Sequence, residues 1–183
     1  ESSRAVLNLA RRAIRAMLLP QSDPGTPASD DPALSQRAGC FVSLHDARSH
    51  RLRGCVGRLD AEDPLSVVVP RMAEACLRDP RFERLRVTAA DLVSLEIEVT
   101  LLSPLRDCRD AEDFDLLDDG IVLQVGGQTG CFLPQVARET GWTREQLLSR
   151  LAEEKLDLPP DAWRRPDARL RKFSTLVLGP EPF

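Results

Sequence analysis

Residues Gly39–Gly57 read GCFVSLHDARSHRLRGCVG, and the period of this stretch decides the fold. Cys40, Val42 and Leu44 alternate with Phe41, Ser43 and His45, the two-residue repeat of a half-buried strand. Leu52 and Val56 then alternate with Arg53 and Cys55, so a hairpin is expected across Asp46–His50. Placing Phe41 opposite Cys55 sets Ser43 opposite Arg53 and gathers the polar groups on one face. A slip of one residue would put Cys40 against Cys55 and Val42 against Arg53, mixing the faces. The first register is therefore expected.

Outward from this hairpin the chain alternates between helical and extended patterns. Upstream, residues 3–19 form an amphipathic helix with a stripe of Val6, Ala10, Ala13, Ile14 and Met17, capped by Ser3 and stopped by Pro20. A Pro-rich loop at 20–33, with Pro24, Pro27 and Pro32, separates it from the first strand. Downstream, Asp63–Pro64 reads as an N-cap with proline in the first helical position, and Pro70 should kink or restart the helix that follows. Leu95, Ile97, Val99 and Leu101 alternate with Glu96, Glu98 and Thr100, a strand with one dry and one polar face. The acid-rich run Asp107–Asp119 reads as a solvated segment. Ile121–Val125 and Cys131–Leu133 flank Gly126, Gly127 and Gly130 as a second hairpin, with no P-loop lysine following. Pro134 opens a short helix ended by Gly141, Thr143 with Gln146 boxes the start of another, and Arg169–Leu178 forms a last strand. The order predicts an α+β fold, a mainly antiparallel sheet flanked by helices.

Composition bounds the function. The 183 residues are 42% apolar and 30% charged, a globular profile. No run approaches the ~20 apolar residues of a membrane span, and Arg4, Arg11, Arg12 and Arg15 break any signal-peptide pattern. The net charge of -4 argues against nucleic acid as a partner through bulk charge. Cys40, Cys55, Cys76, Cys108 and Cys131 contain no CxxC pair, so neither a zinc site nor an iron–sulfur loop is expected. Free thiols in a reducing, cytoplasmic setting fit this usage best. Arg164, Arg165, Arg169, Arg171 and Lys172 form a basic stretch that is weak evidence for RNA and equally suited to docking on the Asp107–Asp119 acids.

Leu52-Arg53-Gly54-Cys55-Val56-Gly57 carries the densest chemical signal. Glycines on either side of Cys55 let a backbone or ligand approach closely. Arg53 on the same face would favour a Cys55 thiolate and bind an anion. Two readings stand: a nucleophilic, redox or anion-binding notch, or a buried thiol in a tight strand end with Arg53 satisfying local acceptors.

The same hexapeptide resembles the signature of the AMME-syndrome candidate-region proteins, whose prokaryotic members are called AmmeMemoRadiSam system protein A. Phe41-Val42-Ser43-Leu44, Asp79-Pro80-Arg81-Phe82, Glu96-Ile97-Glu98-Val99, Leu102-Ser103-Pro104, Leu133-Pro134-Gln135-Val136-Ala137 and Gly141-Trp142 match further pieces in order. The resemblance implies one domain of this type across residues 1–183, with two lobes and a cleft. It implies Memo-like and radical-SAM proteins as partners and the hexapeptide as the functional site. Cys55 is the catalytic candidate; Arg53, Gly54, Gly57, Ser43, Glu98 and Gln135 are candidates for binding a small anionic ligand. His45 would join the same polar face, and Trp142 is expected to fill core. No metal is implied, and no cofactor is specified. A non-catalytic binding component, a Cys55-dependent enzyme and an RNA binder are the functions to separate.

Overall fold

The computed structural model describes residues 2–21, 31–60 and 62–183. Ser2–Leu18 is helix α1, whose Val6, Leu7, Ala10, Ala13 and Ile14 recur at helical spacing and are all buried. Most of the Pro-rich loop expected at 20–33 lies outside the described residues; its end is a 3-10 turn at Pro32–Ser35, with the Asp31 carboxylate accepting from the Ala33 N–H. Strands β1 (Gly39–Asp46) and β2 (Leu52–Arg58) form the expected hairpin.

Helix α2 spans Leu65–Cys76. Its cap is Pro64 rather than Asp63, because the Asp63 carboxylate accepts from Arg58 and Arg71 and not from a helix N–H. Pro70 does not interrupt it. Val68, Val69, Ala73 and Cys76 are packed into the core on both sides of the proline, which outweighs the one lost hydrogen bond. Strand β3 (Leu95–Leu102) follows two 3-10 segments, Pro80–Leu85 and Ala89–Ser94.

The next elements are β4 (Arg106–Asp107), β5 (Gly120–Val125), β6 (Gln128–Phe132), α3 (Pro134–Thr140) and α4 (Arg144–Leu156). The Thr143–Gln146 capping box is present. The single last strand expected from the sequence is instead two, β7 (Ala168–Phe173) and β8 (Thr175–Pro182), in different sheets. Leu170 pairs beside Leu123 in one sheet, while Leu178 joins the core of the other, so a run of uniform periodicity serves two cores. The single sheet becomes two four-stranded sheets, ordered β2-β1-β3-β8 and β4-β7-β5-β6, and every resolved pairing is antiparallel.

The chain divides into two compact units, residues 1–102 with 176–183 and residues 103–175. Each has its own core. In the first, α1 and α2 pack on the face of the sheet carrying Cys40, Val42, Leu44, Ile97 and Val99. In the second, Ile121, Leu123 and Val125 meet Leu148, Leu151 and Ala152 of α4. No helix among the described residues is long and apolar enough to cross a membrane.

Candidate functional site

The hairpin register differs from expectation by two residues. Ser43 lies opposite Cys55 and Phe41 opposite Gly57. A shift of two preserves the faces, so the polar groups still share one side. The reason lies at Gly57, where a side chain would stand 2.3 Å from the Phe41 ring: the ring occupies the place a Cβ would take. The register slips by one between Leu44 and His45, a bulge that leaves Leu52 and Arg53 facing His45.

Strand β3 lies on the other side of β1, with Glu98 opposite Ser43, Glu96 opposite His45 and Thr100 opposite Phe41. The polar face of this sheet is therefore a small lattice. One row reads Cys55, Ser43, Glu98; the next reads Leu52, His45, Glu96, with Arg53 the extra residue of the bulge between the two rows. The structure thus brings together Arg53, Cys55, Ser43 and Glu98, with His45 among them. Gly54 belongs to the opposite face: a Cβ there would lie 2.5 Å from the Cys76 carbonyl oxygen and 2.9 Å from its thiol. Its missing side chain admits the end of α2. Gln135 sits in the first turn of α3 in the second unit, its Oε1 buried and without a hydrogen-bond partner among the described residues. Trp142 packs on the second core beside Phe132, at 6.3 Å between ring centres.

Cys55 is held from both sides of its peptide. Its N–H donates to Asp79 Oδ2 at 3.0 Å, and its carbonyl accepts from Arg81 Nη2 at 2.9 Å. The same Arg81 nitrogen donates to Asp79 at 2.7 Å, closing the clamp. The Asp79 side chain is 3% exposed, and Arg81's hydrogen bonds hold its carboxyl below the usual carboxylate range, with the Cys55 N–H assisting. The Ser43 hydroxyl donates to the Cys55 sulfur at 3.2 Å. Cys76, behind Gly54, has its thiol pushed up to about 12, chiefly by burial. The sequence marks Asp79-Pro80-Arg81-Phe82 as one piece of the family resemblance, and nothing local shows the Asp79 carboxylate reaching β2. The distance of Asp79 from Cys55 along the chain hides the clamp.

Two nitrogens on this face are buried and have no partner among the described residues: Arg53 Nε and His45 Nε2. Arg53 is otherwise loosely engaged, with Nη2 3.4 Å from the Leu85 carbonyl and 3.7 Å from Asp91. The Thr88 N–H and hydroxyl donate to the other oxygen of that carboxylate, Oδ2, both at 2.7 Å, while Oδ1 faces Arg53. Burial raises the Glu98 carboxyl, opposed by the nearby His45 and the Thr100 hydroxyl. The face therefore presents a thiol, a hydroxyl, an imidazole, a guanidinium and two carboxylates. Among the described residues no three His, Cys, Asp or Glu side chains are grouped to hold a metal.

The C-terminal basic stretch docks within the second unit. Lys172 Nζ contacts Asp113 through its main-chain oxygen and its carboxylate, Arg164 pairs with Glu145, and Arg165 with Asp167.

Comparison with known proteins agrees with the family resemblance. The chain is 31% identical to Protein MK0488 of Methanopyrus kandleri, covering 99% of this chain and 89% of that one. It is 30% identical to Protein MJ0810 of Methanocaldococcus jannaschii, over 78% and 73% of the two chains. The crystal structure of an uncharacterized protein, PH0010 of Pyrococcus horikoshii, superposes with a TM-score of 0.86 at 30% identity, covering 97% of this chain and 90% of that one. Residues 7–178 match the AMMECR1 family, and the chain belongs to that family.

Proposed function

We propose that the protein binds a small anionic ligand on the polar face of the first unit's sheet, with Arg53 as its anchor. The observation that carries this reading is two buried, unpartnered nitrogens, Arg53 Nε and His45 Nε2, on residues at the bulge of the hairpin. An unsatisfied buried donor costs about 1–3 kcal/mol, and a carboxylate or phosphate oxygen repays it. Cys55 and Ser43 line the adjoining row. Gly54 and Gly57 support the site through backbone packing. The binding component works with Memo-like and radical-SAM proteins, the association that the family resemblance implies.

A second reading, thiol chemistry at Cys55, is favoured by one specific feature. The clamp of Asp79 and Arg81 fixes the main chain on both sides of Cys55, and Ser43 donates to its sulfur, as a positioned nucleophile requires. RNA binding has less support, because three members of the basic stretch are paired with acids of their own chain.

The test is alkylation of the folded protein by iodoacetamide, resolved by peptide, with and without inorganic phosphate or hexanoate. Either anion is expected to slow modification of Cys55 and leave Cys131 unaffected, and Arg53→Lys to remove the protection. Cys55 modification insensitive to both anions contradicts the reading.

A further inference from the structure

Charge is unevenly distributed over the polar face. Its guanidinium, Arg53, stands on β2, an edge strand; the central strand contributes Ser43 and His45; β3 contributes Glu96 and Glu98. Neighbouring strands are ~4.8 Å apart, so the basic and acidic poles stand about 10 Å apart at the main chain. Neither pole is well satisfied. Arg53 reaches Asp91 only at 3.7 Å and leaves Nε unpartnered. Glu96 has His50 Nδ1 at 3.8 Å, on a side chain 77% exposed. Glu98, raised by burial, has only His45 and the Thr100 hydroxyl acting to favour its ionised form.

A simple anion would satisfy Arg53 and His45 while facing two carboxylates across the sheet, and that repulsion works against binding. A cationic group at the other end of the same ligand turns the repulsion into attraction. We infer that the ligand is dipolar, with a carboxylate at Arg53 and His45 and an ammonium at Glu96 and Glu98, lying across the strands over Cys55 and Ser43. The inference rests on the reading of Arg53 as an anion anchor and adds the second pole. It places the carboxylate end of the ligand on the strand that carries Cys55, and its middle over the central strand and Ser43.

The experiment compares three matched probes, ω-aminohexanoate, hexanoate and hexylamine, by NMR titration of the intact chain. The expected result is that ω-aminohexanoate binds about tenfold tighter than either single-charge probe. In Glu98→Gln the ratio of ω-aminohexanoate to hexanoate affinity should fall towards one. Glu96→Gln gives the same readout if the first variant is perturbed in fold. Equal binding of ω-aminohexanoate and hexanoate overturns the dipolar ligand while leaving the anion anchor standing. Equal binding of ω-aminohexanoate and hexylamine, with none of hexanoate, overturns both. Binding of no probe at the Arg53 and Glu98 resonances also overturns both.

Discussion

Asp79 links two levels of the structure with one carboxylate: it accepts the Cys55 N–H and three nitrogens of Arg81, and is almost wholly buried. Asp79→Ala leaves that N–H and the guanidinium without their acceptor and should destabilise the fold by about 3 kcal/mol in chemical denaturation. The sign of its pH dependence follows from its lowered pKa. Asp79 contributes stability above the ordinary value of 3.8, and this is lost as pH falls through its folded value. Wild-type stability should therefore decline below about pH 4, and Asp79→Asn should show a shallower decline. Glu98 has the opposite sign, because burial raises its carboxyl above 4.5. Its ionised form disfavours folding, so Glu98→Gln should be the more stable protein at neutral pH, with the advantage vanishing below about pH 4.5. Equal midpoints of unfolding at pH 7 would contradict this.

At the scale of elements, the hairpin and α2 are locked by close approach. The nearest atom to a Cβ at Gly54 is the main-chain oxygen of Cys76, not its sulfur. Gly54→Ala should cost about 3 kcal/mol, and adding Cys76→Ala should fail to rescue it, as a double-mutant cycle would show. Much at this scale was legible in the chain. The alternation of Phe41, Ser43 and His45 marked the polar face correctly, and the capping box at Thr143 marked the start of α4. The register was not legible, because the packing of Phe41 on Gly57 is a contact between strands and leaves no local pattern. The clamp made by Asp79 and Arg81 was hidden for the same reason: the local sequence does not show the distant peptide that their side chains turn back to hold.

At the scale of the molecule, the second unit interrupts the first between β3 and β8, which are neighbours in one sheet. The run Arg169–Leu178 gave no sign of this, since a strand's period is the same whichever core it serves. Because the two cores share no residues, replacing 103–175 by a short Gly-Ser linker should leave a folded first unit. Cooperative thermal unfolding with helical far-UV dichroism retained would support this, and loss of both would contradict it.

The claim on which the rest depends is that Arg53 and His45 await an anion. It is tested most directly by following the Arg53 Nε–Hε and His45 side-chain NMR signals while inorganic phosphate, and separately hexanoate, is added. The account predicts saturable shifts of both signals with at least one of the two anions, absent for the Arg81 Nε–Hε that already donates to Asp79. Arg53 and His45 signals that stay fixed with both anions would contradict it.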